Sequence, residues 1–336
     1  MLVIRQAVYE DIPRIMRFID ENWKKGHIMA VDHTMFEFQH VEGKQVYYII
    51  AEDTEDGKIY GSMGYIPMNH SEYPAVSTVM IRSMRHPECD MLGEAMSRYF
   101  EKNIRCCNMI SVGIKKRYAM AVDGIAEGHI GKLKQYYRLR NQEQYVVAVI
   151  TNKEILHVEG NGYLEELNCP EKLRSRISET ALKQYIPYRD LDYICHRYFT
   201  HPYYTYKVYQ ICYASPTESI LVMRECQVGD IKVLRVVDYI GRDEDLSGIG
   251  DSLNRLLEQE GYEYIDFYCY GIPDDIMRKA GFSLREETGN IIPNYFEPFE
   301  QKNIDIYFYT WFMENVHAYR GFGDQDRPGK PVRSVQ

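Results

Sequence analysis

The segment 197–206, in the second half of the chain, is the richest in chemically useful side chains. Its ten residues include a guanidinium, an imidazole and several phenols. Its His201 precedes a proline, which favours extended backbone over a helix interior. A guanidinium and an imidazole among tyrosines can hold a sugar or a carboxylate, and a polar cluster at a domain seam would have the same residue types. The candidate ligand-binding residues are Arg197, Tyr198, Tyr204 and Tyr206, with His27 as the counterpart in the first half.

A second candidate is a glycine-containing loop that follows a predicted strand and precedes a predicted helix. Glycine lets the backbone approach a ligand closely, and exposed amides at a helix N-terminus favour an anion. Asp245, directly before the loop, would oppose an anion if its side chain pointed inward. A plain strand-to-helix turn would show the same pattern. The candidate anion-binding residues are Leu246, Ser247, Gly248, Ile249, Gly250 and Asp251.

The first half of the chain contains the elements that would position such sites. Asp11 and Pro13 predict the start of a helix after a first strand at 2–8. The helix would bury a stripe at helical spacing, formed by Ile12, Ile15, Met16, Ile19 and Trp23. Alternating and β-branched segments predict strands at Val46–Ala51, Ile59–Ile66, Val76–Met84, Met109–Gly113 and Gln144–Thr151, with a second helix at Gly93–Asn103.

The second half repeats this element order without obvious identity. Strands are predicted at Lys207–Ala214, Ile220–Glu225, Ile231–Ile240 and Tyr264–Cys269, with a helix after the glycine loop and another at Asp274–Ala280. This order predicts an α/β fold of two tandem domains, each a mixed, mostly antiparallel sheet flanked by helices. The predicted divisions are 1–151, a connecting segment at 152–185, 186–320, and an extended tail at 321–336 that we expect to be solvated.

Composition limits the classes of function. The 336 residues are 45% hydrophobic and 26% charged, which is typical of globular proteins. A net charge of −9 disfavours a nucleic-acid partner. We also expect reduced thiols, no membrane span, no metal and a cytoplasmic location, because the eight cysteines form no CxxC pair and no apolar run is long enough to span a bilayer.

The duplicated element order, the Gly248-Ile249-Gly250 loop and Lys279-Ala280-Gly281-Phe282 resemble tandem proteins of the acyl-coenzyme A N-acyltransferase (GNAT) superfamily. The resemblance covers most of the chain. Local phrases also resemble sugar N-acyltransferase-like proteins of bacterial surface-glycan clusters. These phrases are 23–27, 36–38, 197–206 and 323–328.

The resemblance implies transfer of an acyl group from acetyl- or another acyl-coenzyme A to an amine, such as an amino sugar or a nucleotide-linked amino sugar. It implies that the second glycine loop binds the coenzyme pyrophosphate and that Arg197 and its neighbours bind the acceptor. Asp238 at the end of the fourth strand, with His201 and Tyr268, would then be the catalytic candidates, although Asp238 also fits a strand-end acid. A homodimer is compatible with this arrangement.

The sequence departs from the family pattern at three places. The first-half loop, Glu88–Gly93, keeps only its last glycine and carries two acids. The family's general-acid tyrosine is replaced by Met277 in the second half and by Gly124 in the first. Two alternatives therefore stay open: a non-catalytic tandem protein that binds a glycan precursor or a partner enzyme, and an aminoacyl- or peptidyl-transferring relative, which the net negative charge disfavours.

Overall fold

The computed structural model describes residues 1–117, 128–312 and 314–329. Contacts divide the chain into two compact units, Met1–Ser111 with Arg327–Gln336, and Val112–Asp326. The second unit therefore includes residues 112–151, which were predicted to belong to the first domain. It also includes the predicted connecting segment, 152–185. Gly124 lies outside the described residues.

The sheet of the first unit has the order β1-β4-β5-β6-β7. Neighbouring strands are antiparallel except β6 and β7, which are parallel. A small hairpin of β2 and β3 precedes β4. The strands are β1 Leu2–Gln6, β2 Val41–Glu42, β3 Gln45–Val46, β4 Tyr48–Asp53, β5 Ile59–Pro67, β6 Ala75–Ser83 and β7 Asn108–Ile114.

The helices of the first unit bury the apolar stripe that the sequence predicted. Ile12 and Ile15 are fully buried in the first helix, whereas Trp23 is 40% exposed because the helix ends at Asn22. The prediction that Trp23 belongs to the buried stripe is therefore wrong. The helices are α1 Ile12–Asn22, α2 Ile28–Val31, α3 His33–His40 and α4 Leu92–Asn103, with a 3₁₀ turn at Tyr9–Asp11.

The second unit contains a sheet of order β17-β8-β13-β12-β11-β10-β9, in which β12 and β13 are parallel and the other neighbours are antiparallel. Two further short strands join it at β8 and β13, and a hairpin lies apart from it. The strands are β8 His129–Leu139, β9 Tyr163–Glu166, β10 Tyr206–Cys212, β11 Pro216–Val228, β12 Ile231–Ile240, β13 Tyr264–Tyr270, β14 Ser283–Leu284, β15 Tyr295–Phe296, β16 Phe299–Glu300, β17 Ile306–Thr310 and β18 Ala318–Tyr319.

Short helices and one long helix cover this second sheet. The long helix, Gly250–Glu260, is followed by Gly261, whose φ of 71° is the left-handed geometry of a helix C-cap. Among the described residues, no helix combines the length and apolar character needed to cross a membrane. The helices are α5 Pro170–Arg176, α6 Glu179–Leu182, α7 Leu191–Phe199, α8 Asp243–Leu246, α9 Gly250–Glu260, α10 Asp274–Lys279 and α11 Arg285–Thr288.

The predicted mixed α/β fold, with helices flanking a mostly antiparallel mixed sheet, is confirmed. The predicted strand at Gln144–Thr151 is wrong, since this segment is irregular apart from one bridge between Val149 and Ile291. Its amides at Val146, Val147 and Ala148 instead donate to the Glu263 carboxylate, at 2.7–2.9 Å. A carboxylate thus replaces the neighbouring strand as the hydrogen-bond acceptor.

Candidate functional site: two bulged strands

The fourth strand in the sheet of the first unit contains a β-bulge. Ser62 pairs with Arg82 and Gly64 with Val79, so Met80 and Ile81 together oppose one residue of β5. Met80 has a φ of 53°, which is uncommon for a residue with a side chain. Bulges and strained residues of this kind re-aim backbone groups and are frequent next to active sites.

Beyond the bulge, the edge of β6 is not paired with β7. The parallel ladder joins only Ala75–Ser77 to Asn108–Ile110, although β6 continues to Ser83. One step further, the Ser111 hydroxyl donates to the Thr78 carbonyl at 3.3 Å. The upper part of β6 therefore presents backbone groups on a side that no strand of the first unit's described residues covers. Ile81, at the bulge, is 49% exposed.

The loop after β6 leads into the N-terminus of the twelve-residue helix α4. Its first acid is engaged elsewhere, because the Glu88 carboxylate accepts a hydrogen bond from the Leu2 amide at 2.9 Å. Met91, at the N-cap, supplies no side-chain cap. The first amides of α4 therefore receive no acceptor from the cap residue, which leaves the positive end of the helix dipole available to an anion.

The second unit has a bulge at the equivalent position of its own fourth strand. Val222 pairs with Asp238 and Met223 with Val236, so Val237 is the extra residue of β12. The parallel ladder between β12 and β13 joins only Leu234–Val236 to Ile265–Phe267. As in the first unit, the parallel strands are no longer paired beyond the bulge.

Here the chain's own C-terminal segment, residues 318–326, occupies the gap. Strand β18 pairs with Cys269 and Tyr270 of β13. The Gly321 amide then donates to the Val237 carbonyl at 2.6 Å, which satisfies the backbone of the bulge. Phe322 follows with no exposed surface.

Buried side chains fix this C-terminal segment. Arg197 donates to the carbonyls of Gly321 and Gly323 at 2.6 and 2.8 Å. The Asp326 carboxylate, in a residue only 2% exposed, forms a two-pronged pair with Arg224 at 2.9 and 2.8 Å. The Tyr206 hydroxyl also donates to Asp326, at 2.9 Å. The expectation that the tail is solvated is therefore wrong for residues 321–326.

Comparison with solved structures supports the mixed α/β architecture described above. No protein-family model matches the sequence, and no curated protein matches it. A GCN5-related N-acetyltransferase from Anabaena variabilis aligns over 92% of this chain and 72% of its own, with a TM-score of 0.54 and 12% identity. The chain has the GNAT fold.

Two other solved structures resemble the chain more distantly. A probable N-acyltransferase from Enterococcus faecalis aligns over 91% of this chain and 72% of its own, with a TM-score of 0.49 and 7% identity. Saccharomyces cerevisiae N-myristoyltransferase with bound myristoyl-CoA aligns over 92% of this chain and 78% of its own, with a TM-score of 0.46 and 8% identity.

Within this GNAT fold, Asp238 is a fully buried acid. Its carboxylate accepts hydrogen bonds from Arg189 at 2.9 Å, from the Tyr198 hydroxyl at 2.7 Å and from the Tyr239 amide at 2.8 Å. Burial raises its pKa, and Arg189 opposes that shift. Tyr268 is likewise buried, and its hydroxyl donates to the Ile304 carbonyl at 2.8 Å. Their proposed catalytic roles stay predictions.

His201 lies in the extended turn that its proline predicted. Its Nδ1 accepts the amides of Tyr203 and Tyr204, at 3.1 and 2.9 Å, and its ring stacks on that of Tyr204. Burial lowers the pKa of His201 to about 3, so the imidazole is neutral near pH 7. The Arg224 guanidinium lies over the other ring of this stack, 3.9 Å from the centroid of the Tyr204 ring. The structure thus brings the Arg197–Tyr206 residues together around the C-terminal segment.

The glycine loop of the second unit is packed against other parts of that unit. The Gly248 carbonyl accepts the Gly162 amide at 3.0 Å. A Cβ on Gly248 would lie 2.7 Å from the Tyr213 ring, and one on Gly250 would lie 2.2 Å from Val158. The adjacent Asp245 points away into a buried contact with the Ser219 hydroxyl at 2.6 Å. Coenzyme binding by Leu246–Asp251 stays a prediction.

In the first unit, the predicted His27 and two polar residues that follow it contact nearby parts of the chain. His27 is buried, and its Nδ1 accepts the Met29 amide at 3.3 Å at the start of α2. Asp32 caps α3 by accepting the Met35 amide at 2.9 Å. His33 lies near Glu37, at 3.2 Å. In the second unit, Met277, at the position of the family's tyrosine, is fully buried.

Sequence reasoning missed several buried arginines of the second unit: Arg189, Arg224, Arg235 and Arg320. Two of them, Arg224 and Arg235, lie inside predicted strands. A signal was present at Arg235, because Val233, Leu234, Val236 and Val237 surround it with a continuous apolar run. Such a run is typical of a strand that is buried on both faces, so that its charged residue must also be buried.

Proposed function

We propose that the chain is an acyl-coenzyme A-dependent N-acyltransferase whose acyl donor binds at the bulge of β6 in the first unit. The observation that carries the proposal is the upper edge of β6, which pairs with no strand in the described part of the first unit and contains the bulge at Met80–Ile81, within a GNAT fold. The corresponding edge of β12 is occupied by residues 318–326, so we place the donor in the first unit and not at the predicted second-unit loop Leu246–Asp251.

The proposed reaction is direct transfer. A backbone N–H of the bulge would polarise the thioester carbonyl, and the acceptor amine would attack it. A C–N bond forms, the C–S bond breaks, and the amine proton passes to the leaving thiolate by way of water. The N-terminus of α4 would face the coenzyme's pyrophosphate. No cysteine nucleophile takes part.

We further propose that the acceptor is an amine-bearing sugar, free or nucleotide-linked, used in surface-glycan synthesis. The phrases 23–27, 36–38, 197–206 and 323–328 support this class through their resemblance to sugar N-acyltransferase-like proteins. The protein would act in the cytoplasm, where acyl-coenzyme A is available.

The test is chromatographic detection of free coenzyme A released from acetyl-coenzyme A in the presence of a panel of amino sugars and nucleotide-linked amino sugars. Chromatography is preferable to a thiol reagent because Cys107 is exposed and would react. Acceptor-dependent release is the expected result. Binding of acetyl-coenzyme A without release for any acceptor would reject the proposed acceptor class.

A second candidate is a non-catalytic binding protein for a glycan precursor or a partner enzyme. The occupied gap between β12 and β13 favours it, since one of the two potential donor sites is filled by the chain itself. Absence of acetyl-coenzyme A binding by the folded protein would favour this candidate.

A further inference from the structure

The first unit contains an open cleft at one end of its sheet. Because β1, β4, β5 and β6 are antiparallel neighbours, the end of β1, the start of β4, the end of β5 and the start of β6 meet at the same edge. The last turn of α4 lies beside this edge, where Phe100 packs edge-to-face on Tyr65 with 5.7 Å between ring centroids. The cleft has a volume of about 470 Å³, which is within the usual range for small-molecule sites. We call it the tyrosine cleft, and its lining includes Gln6, Gln45, Tyr47, Tyr65, Asn103 and Arg105.

Two tyrosine rings form an aromatic corner in the tyrosine cleft. The rings of Tyr47 and Tyr65 lie 5.5 Å apart between centroids, with an angle of 64° between their planes. Tyr65 is buried, whereas Tyr47 is half-buried and its hydroxyl donates to Glu42. A half-buried ring in a cleft offers an apolar face to a ligand, and its polar tip lies close beside that face.

The polar side chains of the cleft leave several hydrogen-bonding groups for a ligand. The amide nitrogens of Gln6, Gln45 and Asn103 all donate within the first unit, which fixes these side chains. Their amide oxygens accept no hydrogen bond from the part of the chain that the structure describes. The Tyr65 hydroxyl accepts the Gln6 amide at 2.7 Å and donates to none of the described residues. Three acceptors and one donor therefore remain for solvent or for a ligand.

The charges around the cleft disfavour an anionic ligand. Among the described residues that line it, Arg105 and His70 are the basic ones, and none is an acid. Each of the two basic side chains lies near an acid outside the lining. Arg105 is 3.7 Å from Glu72, and His70 is 3.1 Å from Glu42. These acids would repel a phosphate or a carboxylate that approached the bases.

We propose that the tyrosine cleft binds a neutral saccharide. A sugar ring has an apolar C–H face that suits the aromatic corner, and its hydroxyl groups can donate to the amide oxygens and accept from the phenol. The cleft lies at the C-terminal end of α4, whereas the proposed pyrophosphate contact lies at the N-terminus. The twelve residues of this helix separate the two by about 18 Å. The saccharide site is therefore distinct from the pyrophosphate contact and does not rest on the proposed transfer reaction.

Saturation-transfer difference NMR on the full chain tests the proposal, with glucose, galactose, N-acetylglucosamine and maltose as probes and no coenzyme present. We expect transfer to the ring protons of at least one probe at millimolar concentration. Tyr47→Ala removes the half-buried ring and should weaken the affinity for that probe about tenfold. The matched control is Tyr9→Ala, because Tyr9 is a surface tyrosine of the same unit whose hydroxyl also donates to a glutamate, Glu37. This control should keep the affinity of the wild type.

Tyr65→Phe is a milder variant, because it keeps the ring and removes only the hydroxyl. It should weaken the affinity about threefold to tenfold through the lost hydrogen bond. Tyr60→Phe removes a hydroxyl from the same strand outside the cleft and should leave the affinity unchanged. If Tyr47→Ala does not fold, Tyr65→Phe and Tyr60→Phe decide.

Three results would overturn the proposal. The first is the absence of saturation transfer to every probe. The second is an equal affinity in the wild type and in the folded cleft variants, which would show that the saccharide binds elsewhere. The third is much tighter binding of glucose 1-phosphate than of glucose, which would show that the cleft selects an anion. Because no coenzyme is present, failure of this proposal leaves the proposed transferase activity untouched, and the release of coenzyme A tests that activity separately.

Discussion

The bulges of β6 and β12 are the same backbone feature in two different surroundings. Ile81, at the first, is 49% exposed, whereas Val237, at the second, is fully buried. At the second, the Gly321 amide and Phe322 fill the space that the separating strands leave. A bulged strand therefore provides a potential site, and the segment next to it decides whether a ligand can enter.

The two regions also differ in how their charges are satisfied. In the second unit, Asp238 and Asp326 are buried and each is paired with an arginine. Such pairs hold the C-terminal segment in a defined position, because breaking one leaves an uncompensated buried charge. In the loop after β6, the buried His86 lies 3.0 Å from the partly buried carboxylate of Asp53, whereas Glu88 lies at the surface. Among the described residues of this loop, no arginine forms a buried pair with a carboxylate, so the first region is held less firmly than the second.

The largest expected effect comes from Asp326→Ala, which would remove the acid that anchors the C-terminal segment. Arg224 would remain buried without its partner, so unfolding stability should fall by about 3–5 kcal/mol. Urea denaturation measures the change. Asp192→Ala, which removes an exposed acid paired with Arg174, should cost less than about 1 kcal/mol and serves as the control. Similar losses for both variants would contradict the anchoring role.

A smaller effect is expected from acid titration of His201. Its pKa in the folded chain is about 3, below the value of about 6.5 for an unfolded chain. Protons therefore bind preferentially to the unfolded state, and the stability from neutral His201, complete above pH 6.5, is lost as the pH falls towards 3. Between pH 7 and pH 5 the loss should be up to about 2 kcal/mol.

Urea midpoints at pH 7 and pH 5 measure this loss. His201→Gln keeps an acceptor for the amides of Tyr203 and Tyr204 but does not titrate, so it should lose less stability than the wild type over that range. His33→Gln, at an exposed histidine of the first unit, should behave like the wild type. Equal pH dependence in the wild type and His201→Gln would show that His201 is not the titrating group.

The smallest effect is expected at the open bulge itself. Ile81→Ser should weaken acetyl-coenzyme A binding about threefold, because an apolar contact with the donor is lost, and should change stability by less than about 0.5 kcal/mol. Val31→Ser has the same initial exposure, 49%, and should leave affinity unchanged. Calorimetric affinities of the two variants test whether the donor lies at this bulge.

Much of the sheet could be predicted because periodic apolar residues report burial directly. The three antiparallel strands of each half and helix α4 are examples. Strand β8 was missed because Gln135 and Arg138 are buried in it, which interrupts the apolar pattern. The sequence also contained no sign that β17, at Ile306–Thr310, would pair with β8, since that contact joins residues more than 160 positions apart.

The candidate site was less predictable because its decisive contacts are distant in sequence. The Arg197–Tyr206 segment was predicted to be either a binding site or a polar cluster at a domain seam, and neither alternative indicated that the partners of Arg197 are Gly321 and Gly323. Likewise, Gly248 lies against Gly160 and Gly162 of a segment that was predicted to be a connection. Local spacing can identify a loop that is able to bind a ligand, but it does not show what packs against that loop.

The most direct test of the central claim is calorimetric titration of acetyl-coenzyme A into the wild-type chain, Gly93→Asp and Ser247→Asp. An aspartate at position 93 suits the first turn of α4 but would repel the pyrophosphate, whereas Ser247→Asp adds the same charge to the loop of the second unit. We predict one site per chain, with affinity at least about tenfold weaker in Gly93→Asp and unchanged in Ser247→Asp. Two sites per chain, or loss of binding in Ser247→Asp alone, would contradict the account.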